Sequence, residues 1–112
     1  MSQMASSKKN ISTVGEQLRT IREKSTLPLR EVATSIGMDT SLLGKIERNE
    51  RQATKEQVKQ LAAFYKIDEK KLLKELLSDQ LAYKILEEGA DLDTLILAED
   101  KVEYLKTNQN AK

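Results

Sequence analysis

Residues 30–51 read REVATSIGMDTSLLGKIERNER, and the spacing of apolar side chains and turn formers in this stretch decides the fold. Val32, Ala33 and Ile36 share one side of a helix that opens near Leu29, and Gly37 ends it as a left-handed cap would. Asp39 is a good N-cap for a second helix, Thr40 to about Arg48. Its apolar positions are Leu43 and Ile46, with Leu42 to one side. Asn49 stands just past its end, where asparagine is the usual substitute for glycine when a positive φ is wanted. The stretch therefore predicts two short helices joined by the turn Gly37-Met38-Asp39.

Working outward, the helical period continues on both sides. Val14, Leu18 and Ile21 place a helix over about 13–24, and Ser25-Thr26-Leu27 interrupts it. Pro28 is well placed in the first turn of the helix that follows. Thr54 to Gln57 is a capping box opening a fourth helix that buries Val58, Leu61, Ala62 and Tyr65. Asp68 then caps a fifth, with Leu72, Leu73, Leu76 and Leu77 as its apolar side. Two short helices with a glycine in their turn, set inside a bundle of five, follow the helix-turn-helix plan. Many helical bundles contain such pairs, so spacing alone does not settle it.

Composition narrows the classes. The 112 residues hold four glycines and one proline, too few for a many-turned β protein. There is no cysteine and no histidine, which excludes a disulfide framework, the common zinc sites and a histidine general base. An enzyme could act through carboxylates such as Glu87, Glu88 and Asp91, but that cluster reads better as helix-end charge beside Gly89. The chain is expected to be no enzyme and to need no cofactor or metal. No apolar run approaches the roughly 20 residues of a membrane helix, and MSQMASSKKNIST has no apolar segment behind its lysines. A cytoplasmic protein with no membrane association is the expectation.

The net charge of +1 divides unevenly. Residues 1–66 carry 12 Lys/Arg against 7 Asp/Glu, and residues 67–112 carry 7 against 11. A basic front suits an anionic partner, although chance segregation of solvated charges explains it equally well.

The run from Gly15 to Leu73 resembles the lambda-repressor/Cro-like (XRE) helix-turn-helix family. The resemblance is carried by Arg30 to Arg51, quoted above, and by QVKQLAAFYKID from Gln57 to Asp68. It implies an all-α, five-helix domain that binds double-stranded DNA, with the helix Thr40 to Arg48 in the major groove. Thr40, Ser41 and Lys45 would then face base edges, with Leu42 either touching a thymine methyl or belonging to the core. Arg30, Arg48, Arg51 and Lys55 would clamp phosphates, each having a solvated surface charge as its plain alternative. The resemblance also implies a buried pair, Arg22 with Glu47, holding the recognition helix in place.

Three positions depart from the family pattern. Leu29 stands where glutamine is common, so a contact there is lost or moves to Arg30. Asn49 replaces the usual glycine. Gly44 lies inside the recognition helix, where it lowers helix propensity by about 1 kcal/mol against alanine; close packing on DNA would account for it.

The organisation expected is a flexible polar arm over 1–12, the DNA-binding domain over 13–77, a helical extension over 78–106 and a disordered tail over 107–112. In the extension, Ser78 or Asp79 caps a helix through Glu88, Gly89 closes it, and a last helix runs from about Leu92 to Lys106. Its Leu92, Leu95, Ile96, Val102 and Leu105 form either a homodimer interface or a lid on the monomer's own core. Tyr65, Tyr83 and Tyr104 are expected at core edges or interfaces. The leading expectation is a dimeric transcriptional regulator, a repressor or autoregulator. The competing one is an antitoxin-like interaction module whose acidic C-terminal helices hold a protein partner.

Overall fold

The computed structural model describes residues 11–111, so nearly all of the expected N-terminal arm lies outside the described residues. Among the described residues the protein is all-helical, with six helices and no strand. They are α1 (Val14–Lys24), α2 (Leu29–Ser35), α3 (Thr40–Glu47), α4 (Lys55–Tyr65), α5 (Glu69–Glu87) and α6 (Leu92–Ala111). The chain divides into an N-terminal unit ending at Asp79 and a C-terminal unit beginning at Gln80.

Four of the helix starts are set by short polar side chains that occupy free amide groups of the first turn, whereas α2 opens on Pro28 without a side-chain cap. Thr13 and Thr54 form complete capping boxes with Glu16 and Gln57. Asp39 accepts from the Leu42 N–H at 3.3 Å, and Asp68 accepts from the Lys71 N–H at 3.2 Å.

The helix ends share one device. After α2, the Met38 N–H reaches the Ala33 carbonyl at 2.8 Å and the Gly37 N–H reaches Thr34 at 3.2 Å. That is a Schellman closure around a left-handed residue. The same pair of bonds closes α1, α3, α4 and α5, with Thr26, Asn49, Lys66 and Gly89 as the left-handed residues.

The N-terminal unit buries Val14 and Leu18 of α1, Val32 and Ala33 of α2, and Leu43 and Ile46 of α3. Val58, Leu61 and Ala62 of α4 and Leu72 and Leu76 of α5 complete the core. Truncating a fully enclosed leucine such as Leu43 to alanine costs about 2–5 kcal/mol through lost transfer energy and the cavity left behind. Ala53 is also buried, placing the loop after α3 against the same core.

Two expectations for the C-terminal third are corrected. Ser78 and Asp79 do not start a helix, because α5 runs without a break for 19 residues. Asp79 is committed elsewhere: its carboxylate accepts from the Val14 N–H at 2.9 Å, satisfying a first-turn amide of α1. The expected disordered tail from residue 107 is helical through Ala111, as α6 spans 20 residues. In the C-terminal unit Leu81, Leu86, Leu92, Ile96, Leu97, Val102, Tyr104 and Leu105 are all at least half exposed. No helix among the described residues is long and apolar enough to cross a membrane.

Candidate nucleic-acid interface

α3 is short, two turns, and is held from three sides. The turn Gly37-Met38-Asp39 joins it to α2, and its buried side packs on both α1 and α2. Arg22 of α1 meets Glu47 at the end of α3, with Nε to Oε2 at 2.9 Å and Nη2 to Oε1 at 3.0 Å. Glu47 is only 4% exposed, and the guanidinium also donates from Nη1 to the Leu27 carbonyl at 2.9 Å. The fork geometry matches a carboxylate on two parallel bonds. That hydrogen bonding raises the Arg22 pKa above its ordinary value, against the opposing effect of burial.

Gly15 of α1 lies directly against the other side of this helix end. A Cβ there would overlap the carbonyl oxygen of Ile46, so the two backbones touch only because residue 15 has no side chain. Between Gly15 and the ion pair, Leu18 is fully enclosed.

On the outer surface, Ser41 and Lys45 are exposed and lie one turn apart on the same side. Thr40 is half-buried at the helix start, and Leu42 is half-buried and packed on the core edge. Arg30, Arg51 and Lys55 are exposed and, among the described residues, form no ion pair. Arg48 is exposed but engaged: its Nε meets Glu50 Oε2 at 3.0 Å and its Nη2 meets Oε1 at 3.3 Å. A phosphate reaching Arg48 competes with that carboxylate. The pairing lowers the Glu50 pKa and raises that of Arg48.

The departures at Leu29 and Gly44 are linked. Gly44 is buried, and a Cβ added there would sit 3.3 Å from Leu29 Cδ2 and 3.0 Å from Arg48 Nη1. The missing side chain makes room for Leu29 and Arg48 of the same molecule, which replaces the reading of Gly44 as a close approach to DNA. Leu29 is half-buried and packed on the core.

Sequence reasoning missed three residues that shape the site. Thr13 donates its hydroxyl to Asn49 Oδ1 at 2.7 Å, Gly15 sets the α1–α3 distance, and Asp79 holds the first turn of α1. The Thr13-Val14-Gly15-Glu16 order is a capping-box signature that could have revealed the first. Asp79 left no local signal. Tyr65 was expected at a core edge; it lies half-buried against Phe64, ring centroids 5.1 Å apart in a T-shaped pair. Its hydroxyl is buried without a hydrogen-bond partner, and burial with Glu47 nearby pushes its pKa up to about 12.

Two helices around a glycine turn, the second exposing polar and basic side chains from a packed core, define a helix-turn-helix domain. The profile of the family described as "Helix-turn-helix domain" matches residues 13–74, and the chain belongs to that family. Among solved structures it is similar to one described as a SinR protein/SinI protein complex, with 20% sequence identity and a TM-score of 0.50. The match covers 85% of this chain and 99% of that one, and at this identity it speaks for the fold alone. No curated protein matches the chain.

Proposed function

We propose that the protein is a sequence-specific regulator of the lambda-repressor/Cro-like (XRE) type that binds double-stranded DNA through α3. The observation that carries this reading is the exposed pair Ser41 and Lys45 on a helix whose other face is locked into the core. Thr40 stands at its start, where a hydroxyl can meet a base edge or a phosphate. Leu42 packs on the core edge, which leaves it at most a glancing contact with a thymine methyl. Arg30, Arg51 and Lys55 provide free cations around it for phosphates, and Arg48 joins them once Glu50 is displaced.

The role as a repressor or autoregulator follows from the same reading. Such a protein works in the cytoplasm, without metal or cofactor, and gains its effect by occupying a promoter. Operators of this class suit two copies whose recognition helices lie roughly 34 Å apart. The exposed Leu92, Leu95, Ile96, Val102 and Leu105 of α6 supply an apolar surface for such pairing. The same surface on an acidic segment also favours a second reading, a module that holds a different protein.

The test is selection from a pool of random duplexes, with sequencing of the bound fraction and titration of salt. Enrichment of an inverted repeat, with affinity falling as about the seventh power of salt for eight phosphate contacts per dimer, supports the proposal. Weak binding with no enriched sequence overturns it.

A further inference from the structure

Three contacts fasten α3 to α1. Arg22 holds Glu47, Gly15 abuts the Ile46 carbonyl, and Thr13 donates its hydroxyl to Asn49. The first two are enclosed, whereas the third lies at the surface, just past the C-terminal end of α3. We infer that Asn49 is a positioning residue for DNA recognition, acting with Thr13 to fix the tilt of α3 in the groove. The inference rests on the DNA-binding reading above.

Asn49 does two separable things. Its backbone, at φ 64°, closes α3 through the Schellman bonds of Asn49 to Ile46 at 3.1 Å and Glu50 to Lys45 at 2.9 Å. Glycine would do this equally well. Its side-chain amide does something glycine cannot, which is to receive the Thr13 hydroxyl at 2.7 Å. The same hydroxyl oxygen also accepts the Glu16 N–H at 3.2 Å, so its proton is directed at Asn49. Thr13 in turn is held on both sides: its own N–H donates to Glu16 Oε1 at 3.0 Å, and the next N–H donates to Asp79 at 2.9 Å. The tether therefore runs from the capped first turn of α1 to the residue that terminates the recognition helix.

The mechanical need is plain. α3 has eight residues, about 12 Å of helix, and its exposed Lys45 lies in its last turn. Base-reading groups have to be placed to within about 0.5 Å. With Glu47 and Ile46 already held by Arg22 and Gly15, the Asn49 contact removes the remaining tilt at the end of the helix. Binding to random DNA, which relies on phosphates and mobile cations, tolerates such a tilt far better.

The experiment compares wild type, Asn49→Gly and Thr13→Ser in the full chain. Each is assayed on the selected duplex and on a random duplex, at a temperature where circular dichroism shows all three folded. Asn49→Gly keeps the left-handed closure, so its Tm is expected to be unchanged or higher. Its binding to the selected duplex is expected to fall about fivefold, some 1 kcal/mol, with random-duplex binding unchanged. Thr13→Ser, which retains the hydroxyl, should match wild type in every respect. If Asn49→Gly discriminates as well as wild type, the side chain positions nothing and the inference is wrong. If wild type itself does not discriminate between the duplexes, the DNA-reading proposal fails, and that is visible without any variant.

Discussion

Glu47 and Asp79 are both carboxylates held by the N-terminal unit, yet they act in opposite senses. Glu47 is enclosed and doubly bonded to Arg22, so removing it strands a guanidinium that is itself mostly covered. Glu47→Ala is expected to lower stability by about 3 kcal/mol, toward the low end for a broken buried pair because Arg22 keeps some access to water. Urea unfolding measures this directly, and a neutral result would remove the pair from the structural account. Asp79 accepts one backbone N–H, but burial first, then Glu75 and Glu16, hold its pKa above the ordinary carboxylate value. A carboxyl with a raised folded pKa contributes stability that is complete below about pH 4 and is lost as pH rises through the raised value. Asp79→Asn retains an acceptor for Val14 and cannot ionise. Its Tm should match wild type near pH 4 and exceed it at pH 7. A variant less stable than wild type at pH 7 alone would show that the charge itself is needed.

Among the helices, what could be read in advance depended on how local the signal was. The glycine at 37, the asparagine at 49 and the glycine at 89 announced left-handed closures, because few residues accept that backbone without penalty. Thr26 and Lys66 occupy the same conformation and gave no such sign. Here the packing on either side of the turn overrides the local preference. Thr26 is β-branched and exposed, and its hydroxyl bonds only the adjacent Ser25 carbonyl. Thr26→Gly should therefore stabilise the protein by about 1 kcal/mol, the penalty relieved for an L residue in this region, as read by thermal unfolding. An unchanged or lower Tm would mean the threonine has a compensating contact. The start of α5 was legible from Asp68, but its length was not. Ser78 and Asp79 are good N-caps by type, and only the partner in α1, 65 residues away in sequence, explains why Asp79 stays helical. For the candidate site, Ser41 and Lys45 followed from helical phase within one element. Leu29 and Gly44 could be understood only as a pair across two elements.

For the whole molecule, the question is what the apolar residues of the C-terminal unit are for. Leu95 and Val102 stand two turns apart on α6 and are 39% and 53% exposed. If this surface pairs two copies, Leu95→Glu combined with Val102→Glu sets like charges within a buried apolar contact. Sedimentation equilibrium should then show a monomer in place of a dimer. Affinity for an inverted-repeat duplex should fall at least tenfold, because the second half-site is no longer bound intramolecularly, while half-site binding stays unchanged. A variant that remains dimeric would place the pairing surface elsewhere.

The backbone contact at Gly15 bears on how such a protein can change over time. On the DNA-binding reading proposed above, Ser41, Lys45, Arg30, Arg51 and Lys55 are exposed and can be exchanged one at a time without disturbing the core beneath them, so that target preference would be free to drift. Position 15 has no such latitude, because every side chain other than hydrogen would force two backbones apart. In a library carrying all amino acids at the four glycines, folded clones should retain glycine at 15, whereas Gly37 and Gly89, which face open space, should admit asparagine. The vocabulary of the proposed reading surface is thus variable, and the mount beneath it is spelled in one way only.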